Sequence, residues 1–200
     1  MVKEGYRFAL PLVVLGLLCY FPGWRVAGAL LLFLGLFVLY FFRDPDRSIP
    51  SDPDAVVSPA DGRVVEIVEE EHEGRRGHRI SIFLSVWNVH VQRSPVAGRI
   101  SRTQYRPGRF YAALRARASE ENEQNIIHIS TPGGEMFFKQ IAGWIARRVV
   151  LWKSENTLLA RGDRVGMIRF GSRVDVWLPE SAELAVRKGQ NVAGGSSILA

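Results

Sequence analysis

Residues Arg169 to Pro179 read RFGSRVDVWLP, and the reading of this stretch decides the fold. Val174, Val176 and Leu178 alternate with Arg173, Asp175 and Trp177. Alternation at period two over this length predicts a β-strand with one face buried. Gly171 stands just before the strand, where a residue without a Cβ leaves the backbone open to close approach. The hydroxyl of the next residue, Ser172, can reach the Gly171 carbonyl carbon. Taken alone, a Gly-Ser pair reads more simply as a tight turn into a strand, because both residues are favoured in turns.

Working outward, six further segments carry β-branched or aromatic residues: Arg63–Val68, Arg79–Leu84, Arg99–Tyr105, Asn125–Ser130, Glu135–Ile141 and Ile145–Trp152. Gly, Pro or charged turns separate them. Short strands at this spacing predict a mostly β fold, a sandwich or barrel-like domain over residues 56–200. No long helical pattern follows residue 43. The polar piece Arg115–Gln124, with SEENEQ at its centre, is expected to be a mobile loop and receives no role.

The N-terminal block is different. Between Phe8 and Phe42 there is one charge, Arg25, and two prolines. Two apolar runs, Phe8–Phe21 and Val26–Phe42, are split by a Pro22-Gly23 turn signal. The second run approaches the ~20 residues that span a bilayer, and the first is shorter. Lys3 and Arg7 precede the pair, and Arg43 and Arg47 follow it. The positive-inside tendency then puts both ends in the cytoplasm. The expectation is a membrane-associated helical hairpin over 1–43, spanning or re-entrant, with the following domain on the cytoplasmic side of the cell membrane. A signal peptide fits less well, because no small-residue cleavage site follows the first run. Residues 44–55, with Pro45, Pro50 and Pro53 among aspartates, read as an extended linker.

Four of the 26 basic residues and one of the 20 acidic ones lie in 1–43, which leaves a net +3 beyond them. So small and mixed an excess argues against a nucleic-acid partner and suits a domain resting on anionic lipid. Cys19 is the one cysteine, so there is no intrachain disulfide and no cysteine metal site.

The residues able to do chemistry have bland readings of their own. Asp61, in Pro59-Ala60-Asp61-Gly62, is a common kind of turn aspartate. His90 would share a strand face with Asn88 and Gln92, and a histidine there usually makes a structural hydrogen bond. His72 and His78 look solvent-facing, and His128 looks structural. The histidine spacing fits no metal site. A second Gly-Ser junction, Gly194-Gly195-Ser196-Ser197, reads as the turn of a closing hairpin.

Together, four segments change these odds: FFRDPDRSIP at 41–50, SPADGRVVEI at 58–67, VHVQRSPVAGRI at 89–100 and GDRVGMIRFGSRVDVWLP at 162–179. In combination they resemble the phosphatidylserine decarboxylases, pyruvoyl-dependent membrane enzymes made as self-cleaving proenzymes. The resemblance runs from about Phe41 to the C-terminus. It implies cleavage between Gly171 and Ser172 into a β chain, 1–171, and an α chain, 172–200, that stay associated. Ser172 would become the covalent pyruvoyl group and the Schiff-base site, so no external cofactor is implied. It also implies His90 as base and Asp61 as the aspartate that orients it. Asn88 stands where many relatives have aspartate. Arg93 stands where some have a second histidine, which leaves open whether Arg93 shares the work of His90. The implied reaction converts phosphatidylserine to phosphatidylethanolamine and carbon dioxide. A homodimer is left open, as is a related serine lipid with ether-linked chains. A reading from another class is a membrane-tethered, non-catalytic barrel of the lipoyl- or biotinyl-carrier type, but no convincing carrier lysine is found.

Overall fold

The strand expected from RFGSRVDVWLP forms and sits at the centre of the fold. In the computed structural model, which describes residues 1–21, 23–115, 117–144, 148–169 and 171–200, β10 spans Ser172–Pro179. It is paired antiparallel on both sides, with β2 (Arg75–Leu84) and with β6 (Gly134–Ala142). Ser172 lies opposite Leu84 on one side and Ala142 on the other.

The chain divides into two compact units, Met1–Asp46 and Arg47–Ala200. The second is mostly β, as expected. Its larger sheet has eight strands in the order β11-β1-β2-β10-β6-β5-β4-β8. The outer members are β1 (Gly62–His72), β4 (Gly98–Arg106), β5 (Gln124–Thr131), β8 (Leu158–Leu159) and β11 (Asn191–Val192). A smaller sheet orders β3 (Val91–Arg93), β9 (Arg164–Ile168) and β7 (Val149–Leu151). Five of the six outlying strands appear within a few residues of their expected limits. The sixth, expected at Ile145–Trp152, is seen as β7; residues 145–147 lie outside the described residues.

Val174, Val176 and Leu178 enter the core with Ile80, Ile82, Phe138 and Ile127. The opposite face of β10 was expected to be open, yet Arg173, Asp175 and Trp177 are buried as well. Trp177 stacks on Phe137, while over Arg173 and Asp175 a charged cover is laid across the sheet. Arg173 Nε donates to Asp175 Oδ1 at 2.6 Å, and its Nη2 to Glu66 Oε2 at 3.0 Å. Arg79 bonds Glu66 and Glu70, and Ser119 Oγ donates to Asp175 Oδ2 at 2.8 Å. Buried charges persist only when paired in this way. Burial acts to raise the Glu66 pKa, but the hydrogen bonds from Arg79 and Arg173 outweigh it and hold the carboxyl below its ordinary value. Burial pushes the neighbouring Lys139 ammonium down.

Two further expectations change. The described part of the piece 115–124 is a tied corner carrying α3 (Ala118–Glu121), because Ser119, Asn122, Glu123 and Gln124 turn their side chains inward while Arg115, Arg117, Glu120 and Glu121 stay exposed. Asn122 donates to the carbonyls of Tyr111 and Ala142 and accepts from the Tyr111 N–H. His72 is half-buried, its ring 4.2 Å from that of Phe137, rather than solvent-facing. The segment after Arg47 is anchored too: Arg161 donates to the carbonyls of Pro50, Pro53 and Ala55.

The first unit consists of α1 (Lys3–Tyr20) and α2 (Arg25–Phe41). Small residues let them pack backbone to backbone: a Cβ on Gly28 would lie 2.8 Å from the Gly16 carbonyl oxygen. Outward, Leu10, Leu18, Phe21, Val26, Leu30 and Phe33 are exposed. A membrane-spanning hairpin is not met. Among the described residues no helix is long and apolar enough to cross a membrane. The 18 residues of α1 include Lys3, Glu4 and Arg7. The 17 residues of α2 rise about 26 Å, against a hydrocarbon core of ~30 Å.

Candidate active site

Gly171 has φ +70°, in the left-handed region that favours glycine. Its backbone N–H donates to Nε2 of His90 at 3.3 Å. The other ring nitrogen, Nδ1, lies 2.9 Å from the carbonyl oxygen of Asn88. A carbonyl only accepts, so Nδ1 carries the proton and Nε2 is the basic nitrogen. Asn88 is itself fixed, because its Oδ1 accepts from both the N–H and the hydroxyl of Ser85. Ser85 follows Leu84, the register partner of Ser172. The β2–β10 pairing therefore sets the distance between imidazole and Gly-Ser bond.

Ser172 is fully buried, and among the described residues its hydroxyl has no hydrogen-bond partner. Leaving a buried hydroxyl unsatisfied costs about 1–3 kcal/mol. Such an oxygen, on the residue that follows a glycine whose N–H meets an imidazole nitrogen, is suited to nucleophilic attack on that glycine's carbonyl. The Gly171 carbonyl is given room by Gly143, just past the end of β6. A Cβ there would stand 2.3 Å from the Gly171 oxygen.

The serines of the second Gly-Ser junction behave differently. Ser197 Oγ accepts from the Ala193 N–H at 2.9 Å, and the N–H groups of Ser196 and Ser197 both donate to the Ala193 carbonyl. That segment is a hydrogen-bonded turn following β11, as its sequence suggested.

Asp61 binds this turn rather than the imidazole. Its Oδ1 accepts from the Gly194 N–H at 2.8 Å, and Arg47 Nη2 donates to both carboxylate oxygens at 2.8 and 2.9 Å. The proton on His90 Nδ1 goes to a backbone carbonyl, so the orienting bond expected from Asp61 comes from Asn88. Arg93 Nη1 donates to the Gly162 carbonyl at 3.1 Å. His90 sits just ahead of β3, in the irregular backbone that follows the turn at 86–88, and not within a regular strand. Sequence reading missed the parts played by the Asn88 carbonyl, Ser85, Arg47 and Gly143. Only the Asn88 and Arg47 segments carried a signal, since both lie within or beside the four family-like motifs.

Next to the site is a cavity of about 890 Å³ lined by Gly62, Val64, Phe83, Asn88, Leu114 and Lys188, among others. Phe83 and Ser85, which flank the partner of Ser172, both face it. Its volume falls in the range of sites that bury a sizeable ligand.

The phosphatidylserine decarboxylase family model matches residues 34–200. Three phosphatidylserine decarboxylase proenzymes show the likeness over nearly full length. That of Symbiobacterium thermophilum is 45% identical, with 100% of this chain and 94% of the relative covered. That of Solibacter usitatus is 46% identical, covering 100% and 96%. That of Erythrobacter litoralis is 45% identical, covering 98% and 86%.

Proposed function

The chain belongs to the phosphatidylserine decarboxylase family, and on that premise we propose that it is a self-processing pyruvoyl enzyme converting phosphatidylserine to phosphatidylethanolamine and carbon dioxide. The observation that carries this reading is the buried, unbonded hydroxyl of Ser172. It follows a left-handed Gly171 whose N–H meets His90 Nε2.

In the processing reaction His90 Nε2 takes the Ser172 hydroxyl proton as the Gly171 N–H contact opens. Ser172 Oγ attacks the Gly171 carbonyl carbon. The amide C–N bond breaks as His90 hands that proton to the leaving nitrogen, an ester forms, and the Ser172 amine is freed. Loss of the Ser172 Cα proton and of the Gly171 carboxylate leaves dehydroalanine at residue 172. Its imine tautomer takes up water and releases ammonia, which leaves a pyruvoyl group. The products are Met1–Gly171 and an α chain from 172 to Ala200. The α chain stays in place because β10 is bonded on both edges and Arg173 is clamped by Asp175 and Glu66.

The finished group supplies a carbonyl that binds the substrate amine and draws off the electron pair left by carbon dioxide. His90 then returns a proton to the substrate carbon, and its Asn88 bond keeps the ring turned to do so. Asp61 is assigned a positioning role. Held between Arg47 and Gly194, it fixes the turn after β11, whose Asn191 and Val192 line the cavity. Lys188 and Arg63, on the same cavity, suit the lipid phosphodiester.

The two short helices, with glycine-lined seam and apolar outer faces, support shallow insertion in the cytoplasmic leaflet. The test is carbon dioxide release from carboxyl-labelled phosphatidylserine by the purified chain. Turnover that is lost in Ser172→Ala supports the reading, and no turnover by the intact sequence overturns it.

A further inference from the structure

Three large apolar side chains around the Gly171–Ser172 bond face outward. Trp87, Leu114 and Trp144 are 62%, 60% and 72% exposed. The backbone ties each of them to the site. Trp144 follows Gly143, whose bare Cα abuts the Gly171 carbonyl. Leu114 follows Ala113, whose methyl would lie 3.4 Å from a Cβ on Gly143. Trp87 precedes Asn88, which bonds His90 and shares the cavity lining with Leu114. These side chains therefore rim the reaction centre and are not scattered over the surface.

The charge around them is mostly of one sign. Arg115 and Arg117 follow Leu114 and are exposed, as is Arg148 beyond Trp144. Arg63 and Lys188, on the cavity, are exposed as well. Against these five cations, the exposed carboxylates on α3 are Glu120 and Glu121. Tryptophan favours the headgroup level of a bilayer, where its ring is apolar and its N–H is wet. Arginines nearby are drawn to anionic lipid.

We propose that Trp87, Leu114 and Trp144, with Arg115, Arg117 and Arg148, form a bilayer-docking rim. Through it the β domain itself presses its active-site mouth into an anionic lipid surface, independently of α1 and α2. The proposal rests on the decarboxylase reading for its purpose: a substrate whose chains stay in the leaflet needs a mouth at headgroup depth. A second copy is a poorer occupant, because a self-complementary contact would set these arginines against their own kind.

The test uses the full-length chain in vesicles of phosphatidylserine and phosphatidylcholine. Cys19, the one cysteine, is replaced by Ser. A single cysteine carrying an NBD fluorophore is then placed at Leu114, Trp144 or Arg76. Arg76 is exposed and eight residues from Leu84 along β2, roughly 26 Å away. Lipids bearing a doxyl quencher near the headgroup are added. Labels at 114 and 144 should be quenched at least about twofold more than the label at 76. Arg115→Gln with Arg117→Gln should bring them towards the control. Equal quenching at all three positions overturns the rim. So does self-quenching at 114 and 144 that grows with protein-to-lipid ratio, which would identify a second copy as occupant. The same measurement on Ser172→Ala needs no catalysis. Normal rim quenching in both proteins, with no turnover of phosphatidylserine by the intact sequence, would therefore overturn the decarboxylase reading alone.

Discussion

Replacing Gly143 by Ala should slow maturation while leaving the sheet folded. The new methyl would lie 2.3 Å from the Gly171 carbonyl oxygen, where ordinary contact begins at 3.4 Å. About 1 Å of movement is therefore demanded, and it must come from backbone on one side or the other, which gives less readily than a side chain. Overpacking of this kind costs about 1–3 kcal/mol. If that cost falls on the arrangement that reacts, cleavage slows about 5- to 150-fold. The upper end agrees with the ~100-fold penalty expected when reacting atoms are displaced by about 1 Å. The assay is the fraction of cut chain on denaturing gels at timed intervals after cell-free synthesis, with a thermal melt to show that the fold is retained. Gly133→Ala is the control, since the nearest atom to its Cβ is 3.8 Å away. Maturation of Gly143→Ala at the wild-type rate would refute the reasoning. Equal slowing of Gly133→Ala would also refute it, by showing that the effect is not local.

His90→Ala should leave the chain largely uncut, by at least about 100-fold in rate, whereas Asp61→Asn should cut more slowly than wild type but still mature; the reverse order on timed gels would return the orienting role to Asp61. Acid should destabilise the β domain in two steps. Burial holds the His128 and His72 pKa values below their ordinary 6.5, so the unfolded chain binds more protons once pH falls past that value, and stability declines from there down through the folded values. Glu66, held below its ordinary 4.5, contributes stability that is present above that value and lost as pH falls through the folded one. Melting temperatures between pH 7.5 and 3 check this, and a flat profile from 7 to 5 would contradict the histidine part. Membranes should retain the full-length chain in high salt, because burial of the outer faces of α1 and α2 is hydrophobic and unscreened; release into the salt wash would remove the insertion reading.

The larger sheet was largely legible because alternation is local. β2, β5, β6 and β10 each announce themselves in a few consecutive residues. Their order was not legible, since nothing in the sequence shows that β10 lies between β2 and β6. The missing order is what hid Gly143 and Ser85, which reach the site through register. It also hid the fate of Arg173 and Asp175. Alternating charges ordinarily mark a solvated face, and only the arrival of Glu66 and Arg79 from neighbouring strands buries them. Ser172 and His90 were found through family-like motifs, and their neighbourhood follows from the fold. Asp61 was found in the same way, but its carboxylate went to Arg47 and Gly194, partners that its local sequence does not name. The N-terminal block was legible as two apolar helices but not as spanning or re-entrant: the 17 residues of α2 match its apolar run almost residue for residue, and the charges Lys3, Glu4 and Arg7 join α1, so among the described residues neither helix is long and apolar enough to cross a membrane.

The central claim is that Ser172 becomes the prosthetic group, and intact mass tests it most directly. Mature protein should contain a fragment beginning at residue 172 that resists Edman degradation. Its mass should be about 17 Da below that of the serine-ended peptide, the loss of one ammonia. Ser172→Ala should give one uncut chain, and Ser196→Ala should process normally. An uncut wild-type chain with Ser172 unmodified, or cutting that is blocked by Ser196→Ala and not by Ser172→Ala, would contradict the account.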